Sequence, residues 1–424
     1  MNKSNWNLND WLIWQQTINP KEIDLSLERI KKVSSRLKYS FPQDKVFLVA
    51  GTNGKGTTVS LIEDILISKG LNVGSYTSPH LVIYNERVSI NKKESNDEDF
   101  IDAFNIIESV RNDVPLTYFE YGTLAAFLIL EKFECDCWII EVGLGGRLDA
   151  TNIIKPSVSI ITNIALDHQE WLGDTLEDIA TEKAGIISEN IPVIYGDYIC
   201  KNIIKNLADT MHSKLFISNQ DFSINEHQSF KNVSRWVGKI SSIDSINLPD
   251  NWAKGEVNNL SIALMAIEII DSNYLPTSDE LNKILNDYYL AGRFEIIKKN
   301  CTWILDVAHN PNAAINLRKR FNSLNTFKKN IMVLSMMKDK DILGFIESFS
   351  DVINEWVVCR MDTKRSFSSK EILNKFFSNG ITNVTSTNNP KKAFEYVEKN
   401  TSTDDNVIVT GSFEIVGPAK KWLN

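Results

Sequence analysis

The sequence contains no apolar run of the roughly 20 residues that a membrane-spanning helix requires, so we expect no membrane segment. Its polar first residues also lack the apolar stretch of a signal peptide. Positive charge is not in excess: 46 Lys and Arg against 54 Asp and Glu leave a net charge of −8, which argues against nucleic acids and anionic membranes as partners. Five cysteines without the spacing of a disulfide framework favour a reducing compartment, and we expect a cytoplasmic globular protein.

Two of the cysteines, Cys135 and Cys137, lie two residues apart beside an apolar run. Alternate residues of a strand point to the same side, so we expect both thiols to pack on one face of a strand. This packing role is favoured over a metal or redox role.

The chain has 424 residues, more than a single hydrophobic core usually serves, which predicts two domains. Short apolar runs at 46–50, 138–142, 158–162 and 192–195 alternate with helix-period segments. This alternation predicts a mostly parallel α/β sheet. An opening helix should end near Pro20, a second helix should cover 22–37, and the polar segment 214–248 indicates a meander or flap.

The alternation of strand and helix patterns begins again at Thr302, which predicts a second, smaller, Rossmann-like α/β domain. A Gly-containing segment at 290–297 separates the two patterns, so we divide the chain into domains 1–293 and 294–424. Ligands of open α/β sheets bind beyond the carboxyl ends of the strands. We therefore expect a binding site in a cleft between the two domains.

A Gly-rich loop, GTNGKGTT at 51–58, follows the first apolar run and precedes a helical pattern. A strict phosphate-loop pattern does not match, because Val49 stands where its first glycine belongs. The alternative interpretation is a Gly-rich surface turn. Strand, glycine loop and helix N-terminus together favour a P-loop type of ATP site, in which backbone N–H groups and Lys55 contact phosphate oxygens and hydroxyls lie near Mg²⁺. The ATP contacts predicted from this loop are Thr52, Asn53, Gly54, Lys55, Gly56 and Thr57.

Eight segments of the chain then resemble one known family in the same order. They are IDLSLERI (23–30), TSPHL (77–81), TYFEYGT (117–123), EVGLGGRLDATN (141–152), IALDHQEWLG (164–173), EKAGI (182–186), LDVAHNPNAA (305–314) and TGSF (410–413). Together with GTNGKG, they resemble the bacterial bifunctional dihydrofolate synthase/folylpolyglutamate synthases of the Mur ligase superfamily. The resemblance implies an ATP-dependent amide ligase that carries two Mg²⁺ ions.

The resemblance assigns metal-binding roles to four residues. Ser78 and Glu141 would hold one Mg²⁺, and His168 the second, with Lys183 carbamylated to give a carboxylate-like group near it. Lys55, Lys183 and His168 would be the catalytic residues. The alternatives are a turn or cap for Ser78 before Pro79, a loop histidine for His168, and a solvated Glu–Lys pair for Lys183.

Substrate contacts follow from the same resemblance. Asp149 would accept hydrogen bonds from the two adjacent N–H donors of a pterin edge. Tyr118 and Phe119 would form an aromatic wall, and the alternative for these two residues is ordinary packing. The predicted acceptor-site residues are Ile23, Asp24, Leu25, Thr117, Tyr118, Phe119, Glu120, Leu148, Asp149, Ala150 and His309. Asn259, Arg293 and Asp306 would complete the nucleotide site, and Ala291 replaces the proline that the family carries before Gly292 and Arg293.

The implied partners are dihydropteroate, tetrahydrofolate and its polyglutamates, and L-glutamate, with the second domain contributing glutamate and nucleotide contacts. We expect a monomer. One rival is a Mur-type ligase of cell-wall precursors, which would need roughly 100 residues for a nucleotide-sugar domain, whereas only 50 residues precede the loop. The other rival is a nucleotide-binding regulatory module, for which Glu141, His168 and Asp149 would serve no purpose.

Overall fold

The computed structural model of the protein describes residues 3, 5–19, 21, 23–226, 233–324, 328–363 and 365–424. Its helices are α1 (Leu8–Ile18), α2 (Glu28–Ser34), α3 (Lys55–Ser68), α4 (Asp97–Arg111), α5 (Tyr118–Lys132), α6 (Gln169–Leu172), α7 (Leu176–Ala184), α8 (Lys201–Thr210), α9 (Lys254–Asp271), α10 (Ser278–Asn286), α11 (Pro311–Asn322), α12 (Ile342–Glu347), α13 (Ser369–Ser378), α14 (Pro390–Asn400) and α15 (Phe413–Leu423). Within the described ranges, none of these helices is both long and apolar enough to cross a membrane.

The larger sheet contains β1 (Val46–Ala50), β2 (Val73–Tyr76), β3 (Val88–Ile90), β4 (Lys93–Glu94), β5 (Cys137–Glu141), β6 (Val158–Ile161), β7 (Val193–Tyr195) and β8 (Leu215–Ile217). Their order in space is β4-β3-β2-β5-β1-β6-β7-β8, and only β3 and β4 pair antiparallel with their neighbours. Every residue of β1 is buried. This explains the continuous apolar run, because both faces of a parallel sheet are covered.

The two faces of β1 belong to different parts of the core. Val46 and Leu48 pack into one apolar cluster, and Phe47 and Val49 into the other. The same division separates the two cysteines, since Cys137 begins β5 in the second cluster while Cys135 precedes the strand and packs in the first. The expectation that both thiols share one strand face is wrong, because only Cys137 lies within the strand.

A small antiparallel sheet of β9 (Ser223–Glu226), β10 (Ser234–Val237) and β11 (Ser242–Ile246) forms the predicted meander. The second large sheet has the order β12-β13-β17-β14-β15-β16, with strands β12 (Arg293–Lys298), β13 (Thr302–Asp306), β14 (Asn330–Leu334), β15 (Glu355–Cys359), β16 (Val384–Thr387) and β17 (Asn406–Thr410). Only its edge strand β12 is antiparallel. The predicted mixed α/β architecture with two sheets is confirmed.

The segment before β1 differs from its prediction. α1 covers Leu8–Ile18, whereas Pro20 and Glu22 lie outside the described residues. α2 is shorter than the expected 22–37 and covers Glu28–Ser34. The Arg29 guanidinium donates to the Asp24 carbonyl at 2.6 Å, and the Glu28 amide donates to Ser26 Oγ at 3.2 Å. These local contacts compete with helix formation and keep the preceding residues non-helical.

Candidate active site

The phosphate loop lies between the carboxyl end of β1 and the first turn of α3, and two of its positions accept only glycine. Gly51 has φ +144° and Gly54 has φ +82°. A Cβ at Gly51 would lie 1.8 Å from Thr162 Oγ1, and one at Gly54 would lie 2.5 Å from Asn259 Oδ1. The glycines therefore let the backbone approach two neighbouring elements closely, and Asn259 of α9 borders the loop.

Side chains that follow β6 hold the phosphate loop in shape. Asn163 Oδ1 accepts from the Asn53 amide at 2.8 Å, and Thr162 Oγ1 donates to the Asn53 carbonyl at 2.6 Å. Thr52 Oγ1 accepts from the Ala165 amide at 3.0 Å. A loop fixed at both its N–H and C=O groups is preorganised for phosphate, because it need not be ordered when the ligand binds.

Two lysines converge on one backbone oxygen of the loop. Lys55 Nζ donates to the Gly51 carbonyl at 3.1 Å, and Lys183 Nζ donates to the same oxygen at 2.9 Å. Lys183 is only 5% exposed, so the alternative of a solvated Glu–Lys pair is wrong. Burial lowers the pKa of Lys55, and burial together with the charge of Lys55 lowers the pKa of Lys183 to about 7.

Glu141 and Ser78 lie together at the ends of adjacent strands, β5 and β2. Glu141 Oε2 accepts from the Ser78 amide at 3.2 Å. Burial raises the pKa of the Glu141 carboxyl, and the nearby Lys55 opposes this effect. A Cβ on Gly56 would lie 3.8 Å from both Glu141 Oε2 and the guanidinium of Arg293, so carboxylate and guanidinium both border the start of α3.

His168 lies just before α6 with a left-handed backbone, φ +51°. Its Nε2 lies 3.0 Å from Lys340 Nζ of the second domain. Burial lowers the pKa of His168 to about 3, which leaves the imidazole neutral. His168, Asp167 and His309 each offer one ligand atom, and these three atoms lie within 4.8 Å of one another, a spacing that could hold a metal ion.

Residues after β13 reach across to the first domain. Asn310 Nδ2 donates to Asp167 Oδ2 at 3.0 Å and to Asn53 Oδ1 at 2.9 Å. Asn53 Nδ2 in turn donates to Asn312 Oδ1 at 3.0 Å. The N-terminal end of α11 therefore contacts the phosphate loop directly.

Arg293 and Asp306 face each other across the pair β12 and β13. Both carboxylate oxygens of Asp306 accept a hydrogen bond from a backbone amide, one from Phe294 and one from Ala308, each at 2.8 Å. Burial raises the pKa of Asp306. The Arg293 guanidinium lies 5.2 Å from the ring centre of Phe413, where it packs on the aromatic face.

A cavity of about 1180 Å³ brings together all of the predicted ATP and metal residues. It is lined by Thr52, Asn53, Gly54, Lys55, Gly56, Thr57, Ser78, Glu141, His168, Lys183, Asn259, Arg293, Asp306 and His309. Because these residues come from both sheets, the expected position in a cleft between two α/β units agrees with the geometry.

The predicted acceptor residues, apart from His309, form a separate group beside this cavity. Arg29 connects two of their segments, because its Nη1 lies 2.9 Å from Asp24 Oδ2 and its Nε donates to Glu120 Oε2 at 3.2 Å. Thr117 and Glu120 form a capping box at the start of α5, with the Thr117 amide donating to Glu120 at 2.7 Å. The Phe119 ring closes on Gly143, where an added Cβ would lie 2.5 Å from it.

Asp149 is held by its own loop. Its Oδ2 accepts from the Leu144 amide at 2.8 Å, and its Oδ1 accepts from the Thr151 amide and hydroxyl at 2.9 and 2.6 Å. Asp149 is 3% exposed and burial raises its pKa. Among the described residues that line the large cavity, Asp149 and its neighbours Leu148 and Ala150 do not appear.

Family comparisons agree with this geometry. The Mur ligase middle domain matches residues 49–267, and the Mur ligase glutamate ligase domain matches residues 292–413. The dihydrofolate synthase/folylpolyglutamate synthase of Escherichia coli (strain K12) is 35% identical over 412 residues, covering 96% of this chain and 94% of that protein. The chain belongs to this family of Mur ligases.

Other similar proteins also match this Mur ligase over nearly its full length. The Haemophilus influenzae enzyme of the same name is 36% identical over 438 residues, covering 98% of this chain and 97% of its own. Among solved structures, E. coli FolC in complex with DHPP and ADP has a TM-score of 0.91 at 34% identity and covers 100% of this chain and 99% of that one. A bifunctional synthase with Mn, AMPPNP and L-glutamate bound has a TM-score of 0.89 at 34% identity, covering 99% and 98%.

Sequence reasoning missed several residues of this Mur ligase site. Asp167, Asn310 and Lys340 join the two domains at the cavity, and Arg29 joins two acceptor segments. Asp167, Asn310 and Arg29 could have been found, since all three lie inside segments that carried the family resemblance. Lys340 gave no comparable local signal, because its partners Asp167 and His168 are remote in the sequence.

Proposed function

We propose that this Mur ligase joins L-glutamate to dihydropteroate, giving dihydrofolate, and to the glutamyl chains of folates, at the expense of ATP. The observation that carries the proposal is the cavity in which the phosphate loop, Lys55 and Glu141 face Arg293 and His309 of the second domain. Two similar structures, one with DHPP and ADP bound and the other with Mn, AMPPNP and L-glutamate bound, support the same substrate classes.

We infer that two Mg²⁺ ions accompany ATP. Ser78 and Glu141 offer a hydroxyl and a carboxylate side by side at the cavity wall, which are the hard oxygen ligands that Mg²⁺ prefers. A buried carboxylate such as Glu141 is costly without a cation nearby. His168, with a carbamate on Lys183, would hold the second ion. When bound, the ions would neutralise phosphate charge during transfer.

The first step forms an acyl phosphate. An oxygen of the acceptor carboxylate attacks the γ-phosphorus, the bond from that phosphorus to the β–γ bridging oxygen breaks, and ADP leaves with the electron pair. Little covalent help is needed for phosphoryl transfer, so positioning and charge are decisive. Lys55 Nζ donates a hydrogen bond to the Gly51 carbonyl of the loop at 3.1 Å. When ATP is bound, the same ammonium group is placed to donate hydrogen bonds to phosphoryl oxygens.

The second step forms the amide. The neutral amine of glutamate attacks the acyl carbon, and the carbon–oxygen bond to phosphate breaks. Phosphate leaves with the electron pair and takes up the proton that the amine nitrogen loses. Water would destroy the acyl phosphate, so the cleft must exclude solvent. The contacts of Asn310 and Asn312 with Asn53 keep the second domain against the loop and serve this exclusion.

We further propose that both acceptors are used, that polyglutamates of tetrahydrofolate are products, and that the enzyme acts as a monomer. The segments around Asp24 and Glu120 support the dihydropteroate reaction, because they match the family's pteroate site and Arg29 holds them together. The single-chain cavity, which draws on both sheets, supports activity without a second subunit.

The proposed function is tested by ADP release with dihydropteroate and then tetrahydrofolate as acceptor, each with and without L-glutamate. Product formation should require acceptor, glutamate and ATP together. Lys55→Ala should reduce kcat on the order of 100- to 1000-fold while the fold persists, because charge is lost at the transferring phosphoryl group.

A matched control is Lys69→Ala, which removes a lysine just after the opposite end of α3, where it pairs with Glu280 at 2.6 Å. This variant should retain wild-type kcat. A rate of ADP release that does not depend on either acceptor, or full activity of Lys55→Ala, would contradict the proposed function.

A further inference from the structure

Lys340 is a buried cation that crosses from the second domain to the first. It lies between β14 and α12, and its side chain is 6% exposed. Its ammonium group pairs with the Asp167 carboxylate and lies 3.0 Å from His168 Nε2. The ammonium group also lies 3.6 Å from Asp339 Oδ2. Lysine is rarely buried without a partner, and these three contacts account for its position.

Asp167 is the centre of this cross-domain network. Besides Lys340, its carboxylate accepts from Asn310 Nδ2 at 3.0 Å and lies 3.4 Å from His309 Nε2. The three partners all belong to the second domain. The carboxylate therefore holds three side chains of that domain over the phosphate-loop side of the cleft.

The contact between Lys340 and His168 uses the lone pair that a metal would need. An ammonium group has donors only, so His168 Nε2 must be the acceptor in this contact. An imidazole nitrogen has one lone pair, which either accepts from the ammonium group or ligates a metal. A divalent ion at that nitrogen would also lie close to the positive Lys340 and be repelled by it.

The other side of the histidine is unsatisfied. His168 Nδ1 and Asp339 Oδ2 are both buried without a hydrogen-bond partner among the described residues, and they lie 3.8 Å apart. A shift of the imidazole or of the loop that carries Asp339 and Lys340 would let these two atoms bond. If Lys340 leaves Nε2 and the imidazole moves, His168 Nδ1 and Asp339 Oδ2 can therefore form a hydrogen bond that they lack in this structure.

We propose that Lys340 is a positioning residue that occupies the place of a cation between Asp167 and His168, and that metal binding at His168 displaces it from Nε2. The proposal rests on the proposed function for the assignment of His168 as a metal ligand. It couples metal loading to domain contact: the lysine holds the two domains together before the ion arrives and is released toward the cavity afterwards.

The test uses the full chain saturated with AMPPNP and titrated with Mn²⁺, with free Mn²⁺ followed by electron paramagnetic resonance. Lys340→Met removes the competing charge at nearly constant length and should tighten the weaker Mn²⁺ site by about tenfold, within the usual range of coupling between sites. Lys340→Gln should act in the same direction. Lys338→Met, which removes an exposed lysine of the same loop paired with Glu371, should leave Mn²⁺ affinity unchanged.

Hydrogen exchange of the wild-type chain gives a readout that needs no variant. Adding Mn²⁺ to the AMPPNP complex should reduce the protection of residues 335–341, because Lys340 loses its contact with His168. Unchanged protection of these residues, or unchanged Mn²⁺ affinity in both Lys340 variants, would overturn the proposal.

His168→Ala separates this proposal from the metal assignment. If this variant loses the weaker Mn²⁺ site while the Lys340 variants bind as the wild type does, the displacement is refuted and His168 remains a metal ligand. If His168→Ala binds Mn²⁺ like the wild type, the metal assignment and the displacement both fail.

Discussion

Lys183 is the side chain whose structural environment bears most directly on its predicted chemistry. Its amine is 5% exposed and donates to the Gly51 carbonyl, and burial followed by the charge of Lys55 lowers its pKa to about 7. Carbamylation needs the neutral amine, so the fraction able to react with CO₂ rises as pH increases through about 7. A carbamate would also turn the contact with Lys55 from repulsion into attraction.

We expect Lys183→Ala to bind ATP but turn over slowly, and short carboxylic acids to restore part of the rate by filling the place of the carbamate. Lys183→Arg should not respond to them, because the guanidinium fills the space and keeps its charge. Steady-state rates with and without added acetate measure the effect. Equal rates for wild type and Lys183→Ala, without any rescue, would contradict a catalytic carbamate.

Asp149 has two possible roles that one variant distinguishes. Its carboxylate satisfies the Leu144 amide and the Thr151 amide and hydroxyl, so Asp149→Ala should leave buried donors without acceptors and lower the free energy of unfolding by about 1–3 kcal/mol. Urea denaturation measures this loss. A raised KM for dihydropteroate with unchanged stability would instead favour direct contact with the pterin.

Residues with partners close in the sequence were easier to predict than residues whose partners are remote. The phosphate loop carries its strand, glycines and helix within a short stretch, and its residues line the cavity as expected. Lys340 pairs with Asp167 at a separation of 173 residues, and Arg29 pairs with Glu120 at 91. A single charged residue gives no sign of such a partner, since the pairing exists only after the fold has formed.

Among the secondary-structure elements, buried parallel strands were predicted well and edge strands were not. The run at 46–50 is β1, and the run predicted at 138–142 is β5 shifted by one residue, because strands covered on both faces are apolar throughout. The three residues of β3 and two of β4 are too few to show a period. The segment 290–297 was predicted only as a boundary between the domains, and it contains most of β12. Gly292 turns the chain with φ +66° just before this strand.

Arg29 connects Asp24, in the segment before α2, to Glu120 in the first turn of α5. Its guanidinium is the counter-ion of Glu120, whose side chain is 4% exposed and whose pKa is raised by burial. Arg29→Met should therefore destabilise the protein on the order of 3–5 kcal/mol, because a buried carboxylate loses its partner. It should also raise KM for dihydropteroate and leave KM for ATP unchanged, since Asp24 is released as well.

A double variant separates these two effects. Arg29→Met with Glu120→Gln removes the unpaired charge and should recover much of the thermal stability, but the Asp24 segment stays free and KM for dihydropteroate stays high. Recovery of both quantities together would mean that Arg29 only balances charge and does not position the acceptor segment.

Several groups of side-chain contacts hold the two domains together, among them the pair of Asp167 and Lys340. One group, at the cavity, joins Asn53 to Asn310 and Asn312. Another group, which also lines the cavity, joins Glu256 of α9 to Arg320 of α11 at 3.2 Å. Weakening the first group should open the cleft at the site of the acyl phosphate without separating the domains, because the second group remains.

Asn312→Ala tests this expectation, since Asn312 is exposed and its Oδ1 accepts a hydrogen bond from Asn53 Nδ2 of the loop at 3.0 Å. Loss of a neutral hydrogen bond costs about 0.5–1.5 kcal/mol, so closure should weaken by a few-fold while unfolding stability hardly changes. Water would then reach the acyl phosphate more often, and ADP release should exceed glutamate incorporation. The control is Asn379→Ala, which removes a side-chain amide at the end of α13 that donates to the Lys375 carbonyl at 2.8 Å. In this control, ADP release and glutamate incorporation should stay equal. If ADP release and glutamate incorporation stay equal in Asn312→Ala, the contacts of Asn53 do not protect the intermediate, and solvent must be excluded by other residues of the cleft.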